Sequence, residues 1–256
     1  GYGPDRAVVV LRLSADERLA TWSRSVSSEH PVFELTVNDA LDISAEFVRW
    51  EFATALAGFL LGVNPFDEPS VAEAKHATSA ILKGDVTVPP AVADYDGSWV
   101  TYAGELTTPA PLPATRIDAI RGWLHTASQG DYLAILVYLP EDDALLAPLH
   151  RAAKTIATAT GLATCVELGP RYLHSTGQLH KGGPNNGVFL LVTVRDRTDF
   201  PVQGEKFTLA ALHRAQAEGD LVTLAAHGRR VMRLDLPSLA RDTIASFAED
   251  LGHASR

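Results

Sequence analysis

The chain has 256 residues, enough for one large core or two ordinary domains, and two domains are expected. Its 46% hydrophobic and 21% charged residues fit a globular protein ordered nearly throughout. The balance of 22 Lys plus Arg against 31 Asp plus Glu excludes a general basic field for nucleic acid, and the single Cys165 excludes an intramolecular disulfide or a multi-Cys metal cage.

Gly1 to Arg6 offer no charged segment followed by an apolar one, so no secretory signal is expected. They also lack an initiator Met, and the chain reads as the tail of a longer one. Ala7 to Leu13 is a β-branched run without alternation, the pattern of a strand buried on both faces of a parallel sheet. A helix from Asp16 to Ser25 and a strand from Pro31 to Val37 follow. The next helix, Ala45 to Leu61, is apolar nearly all round, so it is expected to be central or packed on another subunit. Phe52 to Val63, the longest apolar stretch, is too short to span a bilayer. A cytoplasmic protein without membrane partners is therefore expected.

Gly62 and Asn64-Pro65 stop that helix, and Ser70 with Glu73 forms a capping box that opens another, running to about Leu82. From Gly84 to Pro113 prolines accumulate, and this texture predicts a linker at about 89–115 between a domain of residues 1–88 and one of 116–256. Beyond it, helices are predicted at Arg116–Ser128, Ala144–Thr160, Thr208–His227 and Pro237–Leu251. Strands are predicted at Tyr132–Leu139, Ala163–Leu168, Val188–Val194 and Arg230–Leu236. The alternation argues an α/β fold with a parallel sheet. Cys165 falls in a strand and reads as a buried residue, with a nucleophilic thiol as the alternative.

The densest chemistry before the proline-rich stretch is Asn64-Pro65-Phe66-Asp67-Glu68-Pro69 followed by the capped helix bearing Lys75. Helix N-terminal amides favour an anion, and a Lys in the second turn reaches the same ligand. The plain alternative is a solvated helix lysine. Trp50 to Lys75 (WEFATALAGFLLGVNPFDEPSVAEAK) resembles the C-terminal segment of phosphoglucose isomerases, in which Phe-Asp-Gln-x-Gly-Val-x-x-x-Lys ends in the active-site lysine. Phe66, Asp67, Val71 and Lys75 match; Glu68 replaces the usual Gln beside the sugar phosphate, and Ser70 a common Gly.

A second dense patch, Gly169 to Gly187, places Arg171, His174, Ser175, Thr176, Gln178, His180 and Lys181 between two predicted strands. Cationic and hydroxyl donors on a glycine-rich backbone suit a phosphate or sugar. An ordered loop at an interface, with its His satisfied by backbone, fits the same residues. No metal is expected, because His174 and His180 lack i,i+4 spacing and no Cys or paired carboxylate adjoins them. Gly169 to Thr193 (GPRYLHSTGQLHKGGPNNGVFLLVT) resembles the tail of bacterial fusions of transaldolase with phosphoglucose isomerase.

The resemblance implies the end of a sugar isomerase (SIS) domain followed by a second α/β domain. It also implies isomerisation of glucose 6-phosphate and fructose 6-phosphate through an enediol, without metal or organic cofactor. Lys75 would help open the ring, with His180 as a second catalytic candidate. Glu68, Arg171, His174, Ser175, Thr176, Gln178 and Lys181 are the substrate-binding candidates. The family's catalytic Glu and phosphate loop are not found in residues 1–74, so the isolated chain is expected to be nearly inactive. The expected partners are a sugar phosphate and either a second copy or an upstream isomerase or transaldolase domain. A non-catalytic sugar-phosphate-binding or assembly module is the competing reading.

Overall fold

A computed structural model describes residues 7–27, 30–67, 69–196 and 198–255. The chain divides into two compact units, Tyr2–Asp67 and Glu68–Arg256.

In the first unit, β1 (Val8–Leu13) and β2 (Val32–Val37) pair in parallel, Val8 opposite Val32 through Leu13 opposite Val37. Parallel neighbours need a crossover, here α1 (Glu17–Val26), whose first turn is capped by Asp16 Oδ1 accepting from Leu19 N at 2.9 Å. The long apolar helix is α2 (Ile43–Leu61), stopped by Gly62 in the left-handed region at φ 69°. The helix is not buried centrally in its own unit: Phe47, Val48, Phe52, Phe59, Leu60 and Leu61 are all exposed there, while Glu46 and Gly58 are buried.

The second unit begins with α3 (Pro69–Lys83), then β3 (Ala93–Tyr95), β4 (Ser98–Gly104), α4 (Arg116–Leu124), β5 (Tyr132–Val137), α5 (Asp143–Thr160) and β6 (Ala163–Leu168). After a 3₁₀ turn (Arg171–His174) come α6 (Gly177–Gly182), β7 (Gly187–Asp196), α7 (Leu209–Ala226), β8 (Arg230–Ser238) and α8 (Arg241–Ala254). Six strands form one sheet in the order β3-β4-β8-β7-β5-β6. The four strands β8-β7-β5-β6 are parallel, and β4 joins β8 antiparallel, so the α/β class with a mostly parallel sheet is established.

Two of the expected boundaries move. Residues 89–115 are not a linker: β3 and β4 lie inside them and extend the sheet, Trp99 opposite Asp235 and Gly104 opposite Arg230. Proline richness marked the segments flanking this hairpin, which cannot donate along a ladder, and not a gap between domains. The first unit accordingly ends at Asp67, not near residue 88, and α3 belongs with the sheet, packed on α7 and α6. Gly104 sits at the end of β4 with φ 67°, where an added Cβ would fall 1.8 Å from the Arg229 carbonyl oxygen.

Side chains alternate across the sheet. Leu133, Ile135, Val137, Val188, Leu190, Val192, Met232 and Leu234 face α4, α5 and α8 around Trp123 and Phe247, all within 1% of full burial. On the opposite face Ala134, Leu136, Tyr138, Phe189, Leu191 and Val231 meet Tyr172, Leu173 and the α7 residues Ala217, Leu221 and Leu224. Towards the carboxyl ends of β7 and β8 this second face turns polar, with Thr193, Arg233 and Asp235 buried beneath α7.

Candidate functional site

Lys75 lies on α3, which is held against α7 by two features. Gly219 of α7 has no side chain where a Cβ would come within 3.1 Å of Thr78, and His227 Nε2 meets Glu73 Oε2 at 2.9 Å. This contact occupies the Glu73 carboxylate that was expected to close a capping box with Ser70. The seating puts Lys75 at the wall of a cavity of about 410 Å³ shared with His174, Pro170, Leu173, Leu212 and Gln216. Lys75 and His174 are both exposed. A lysine and an imidazole lining one cavity are groups able to donate and accept protons on a polyol.

The remaining predicted residues do not converge there. Glu68 lies outside the described residues. Arg171 is exposed and forms a bidentate pair with Glu141, Nη1 donating to Oε1 at 2.9 Å and Nη2 to Oε2 at 2.7 Å; those hydrogen bonds hold Glu141 below its usual carboxylate range. Ser175 Oγ donates to the Tyr172 carbonyl at 3.3 Å, and Thr176 donates to Glu167. Gln178 is half-buried on α6.

His180 and Lys181 correct the sequence reading most sharply. The sequence leaves two readings open for this glycine-rich segment, donors facing a phosphate or sugar and an ordered loop whose His is satisfied internally. It forms the crossover between β6 and β7, passing over β5 as the 3₁₀ turn and α6. A crossover on a sheet face buries one side, so His180 and Lys181 are each 2% exposed. His180 Nε2 lies 3.2 Å from Glu167 Oε2; a carboxylate only accepts, so that nitrogen carries the hydrogen, and Nδ1 faces the Tyr132 hydroxyl at 2.9 Å. Both ring nitrogens are taken. Lys181 Nζ pairs with Asp220 Oδ1 at 2.5 Å, and Tyr172 donates its hydroxyl to the other Asp220 oxygen. Tyr138 lies 3.5 Å from the Tyr172 hydroxyl, and burial, then the Asp220 charge, pushes both phenols well above their ordinary range. A phosphate at His180 or Lys181 would first have to break these partnerships.

Cys165 lies on strand β6 as expected, but it is half-buried where full burial was expected. Burial, then the neighbouring Glu167 carboxylate, pushes its thiol up, away from the thiolate a nucleophile needs. Burial also pushes Glu167 up, but hydrogen bonds from His180, Thr176 and Cys165 outweigh it and leave Glu167 below its usual value.

The sequence reading missed the partners that fix α6, Glu167 and Asp220, and the polar strand positions Thr193, Arg195, Arg233 and Asp235. A usable signal was present. In Val192-Thr193-Val194-Arg195 and Met232-Arg233-Leu234-Asp235 a polar residue stands at every second position, alternating with apolar ones. Among the described residues no group of three or more His, Cys, Asp or Glu is arranged to hold a metal ion, and no helix is long and apolar enough to cross a membrane.

These features define a mixed α/β protein with a mostly parallel sheet. No family model and no curated protein matches the chain. The chain is similar to the solved structure of a hypothetical protein from Thermus thermophilus, with 17% identity and a TM-score of 0.50 over 96% of this chain and 55% of that one. The likeness is one of fold, and this chain spans about half the length of that protein.

Proposed function

We propose that the chain is the C-terminal part of an aldose–ketose isomerase interconverting glucose 6-phosphate and fructose 6-phosphate, with Lys75 as a ring-opening acid/base. The observation that carries this reading is the cavity shared by Lys75 and His174, because Lys75 is also where the phosphoglucose isomerase resemblance ends in its catalytic lysine. Ring opening removes a proton from the anomeric hydroxyl and delivers one to the ring oxygen as its bond to the anomeric carbon breaks. Lys75 and His174 are suited to those two ends. His174 takes the place beside Lys75 that the sequence offered to His180, whose nitrogens are occupied.

The carboxylate that moves the proton between C1 and C2 lies upstream of the lysine motif in such enzymes. The isolated chain is therefore expected to turn over slowly or not at all. This chemistry calls for no metal or organic cofactor. The exposed apolar residues of α2 favour a second element of the reading, an assembly role in which an upstream isomerase part or another copy covers that helix.

The test is a coupled assay of fructose 6-phosphate conversion by the longest natural form of the protein, with Lys75→Ala and His174→Ala variants. Loss of about 100-fold or more in kcat on Lys75→Ala is expected for removal of a general acid/base. Unchanged turnover would assign Lys75 to the solvated surface and leave the assembly role.

A further inference from the structure

The parallel strands lie in the order β8-β7-β5-β6, and the connections leaving β5 and β7 go to opposite faces. The α5 helix after β5 packs with α4 and α8, whereas the α7 helix after β7 packs with Tyr172 and Leu173. Open α/β sheets bind ligands at the carboxyl ends of the two strands where connections diverge in this way. In this molecule that place is a cavity of about 320 Å³ lined by Tyr138 at the end of β5, Thr193 and Arg195 of β7, Asp199, and Ala211 and Arg214 of α7.

The charge there is arranged around Asp235. Thr193 Oγ1 donates to it at 2.8 Å, and three guanidinium groups approach it: Arg233 at 3.5 Å, Arg195 at 3.8 Å and Arg214 at 3.9 Å. Arg233 has a second carboxylate, Glu218, at 3.2 Å. With Asp199 in the lining, three cations face three carboxylates. Asp199 is engaged by the start of α7, its Oδ1 accepting from Phe200 N at 2.9 Å and Ala210 N at 2.8 Å.

The cations also differ in freedom. Arg195 is fixed, with Nη1 donating to the Asp235 carbonyl at 2.7 Å, Nη2 donating to the Gly97 carbonyl, and its guanidinium carbon 3.9 Å above the Trp99 ring. Arg214 is not. Among the described residues its guanidinium reaches only Asp235, at a separation longer than a hydrogen bond, and its side chain is 42% exposed. Among the described residues no hydrogen-bond acceptor meets its donors, and Arg214 lines the cavity. A guanidinium fork matches the oxygens of a phosphate, and Arg195 adds field without having to move.

We infer that the crevice between the carboxyl ends of β5 and β7 binds a small phosphate monoester, with Arg214 as its direct ligand and Arg195 as a fixed cationic wall. This site is separate from the Lys75 cavity and does not rest on the isomerase reading.

Titration calorimetry of the full chain with inorganic phosphate and with glycerol 3-phosphate tests it, with acetate as a carboxylate control and folding of each variant checked by circular dichroism. Binding of both phosphates is expected to weaken about tenfold or more in Arg214→Ala, since a charge-assisted hydrogen bond is lost, and to persist in Lys75→Ala. Ala211→Glu, which places a carboxylate on the cavity wall and leaves Arg214 intact, should abolish binding even if Arg214→Ala fails to fold. The assignment is overturned if neither phosphate binds, if both cavity variants bind like the parent, if acetate binds as tightly as phosphate, or if Lys75→Ala alone removes binding.

Discussion

Replacing Asp220 by Ala probes the interior of the larger unit most severely. Lys181 Nζ lies 2.5 Å from Asp220 Oδ1 with side chains 1% and 0% exposed, and Tyr172 donates to the same carboxylate. The variant leaves an ammonium and a phenol hydroxyl buried without their acceptor. An uncompensated buried charge of this kind costs about 3–5 kcal/mol, and the stranded hydroxyl adds about 1–3 kcal/mol. For a unit of this size each kcal/mol lowers Tm by about 2–4 °C, so a fall of roughly 8–30 °C is expected in calorimetry or a thermal circular dichroism scan. The combination Lys181→Met, Asp220→Leu and Tyr172→Phe removes every stranded group at nearly constant volume and should recover most of that loss. If Asp220→Ala melts within about 2 °C of the parent, the pair is not the closed interior ion pair described. In that case Lys181 returns to the list of groups open to a ligand.

The other expectations are smaller in scope. Glu167 is held below its ordinary value of 4.5, so its contribution to stability is present above that pH and is lost as the pH falls through the lower folded-state value. Urea unfolding between pH 6 and pH 3 should therefore show an acid decline that Glu167→Gln makes shallower, and identical slopes would refute the linkage. Gly104→Ala forces a Cβ to within 1.8 Å of the Arg229 carbonyl at a left-handed φ. A loss of about 2 kcal/mol or more by urea titration is expected, and a neutral result would mean the β4–β8 end is not paired as described. For the proposed site, the proposed isomerase activity predicts that His174→Ala lowers kcat/KM of the longest natural form while His180→Gln acts chiefly on stability, so steady-state kinetics beside a melting curve separates the two histidines.

The α/β class was legible because fully buried parallel strands announce themselves as unbroken apolar runs; Leu133 to Val137 and Val188 to Val192 are such runs, and each is almost wholly buried. The membership of α3 was not legible. The sequence shows its apolar Val71 and Ala74, but Gly219, the residue that admits it to α7, lies some 140 residues away. The β3–β4 hairpin was missed for a related reason, since Asp94 to Trp99 is short and framed by prolines whose texture resembles a linker. At the candidate site, the motif around Lys75 could be read directly, whereas the inward turn of His180 and Lys181 could not. Histidine and lysine look alike in sequence whether they face water or the half-buried Glu167 and buried Asp220, and only the crossover over β5 decides which.

The exposed apolar face of α2 carries its own expectation. If another copy or an upstream segment covers Phe47, Phe52 and Phe59, light scattering on the longest natural form should show either an oligomer or a monomer in which those side chains resist solvent labelling.

The central claim, that Lys75 serves an enediol isomerisation, is tested most directly by proton NMR of fructose 6-phosphate incubated in deuterium oxide with the longest natural form of the protein. The account predicts glucose 6-phosphate carrying deuterium at C2, with formation about 100-fold slower in Lys75→Ala. Absence of conversion by the intact protein, or an unchanged rate in that variant, would contradict it.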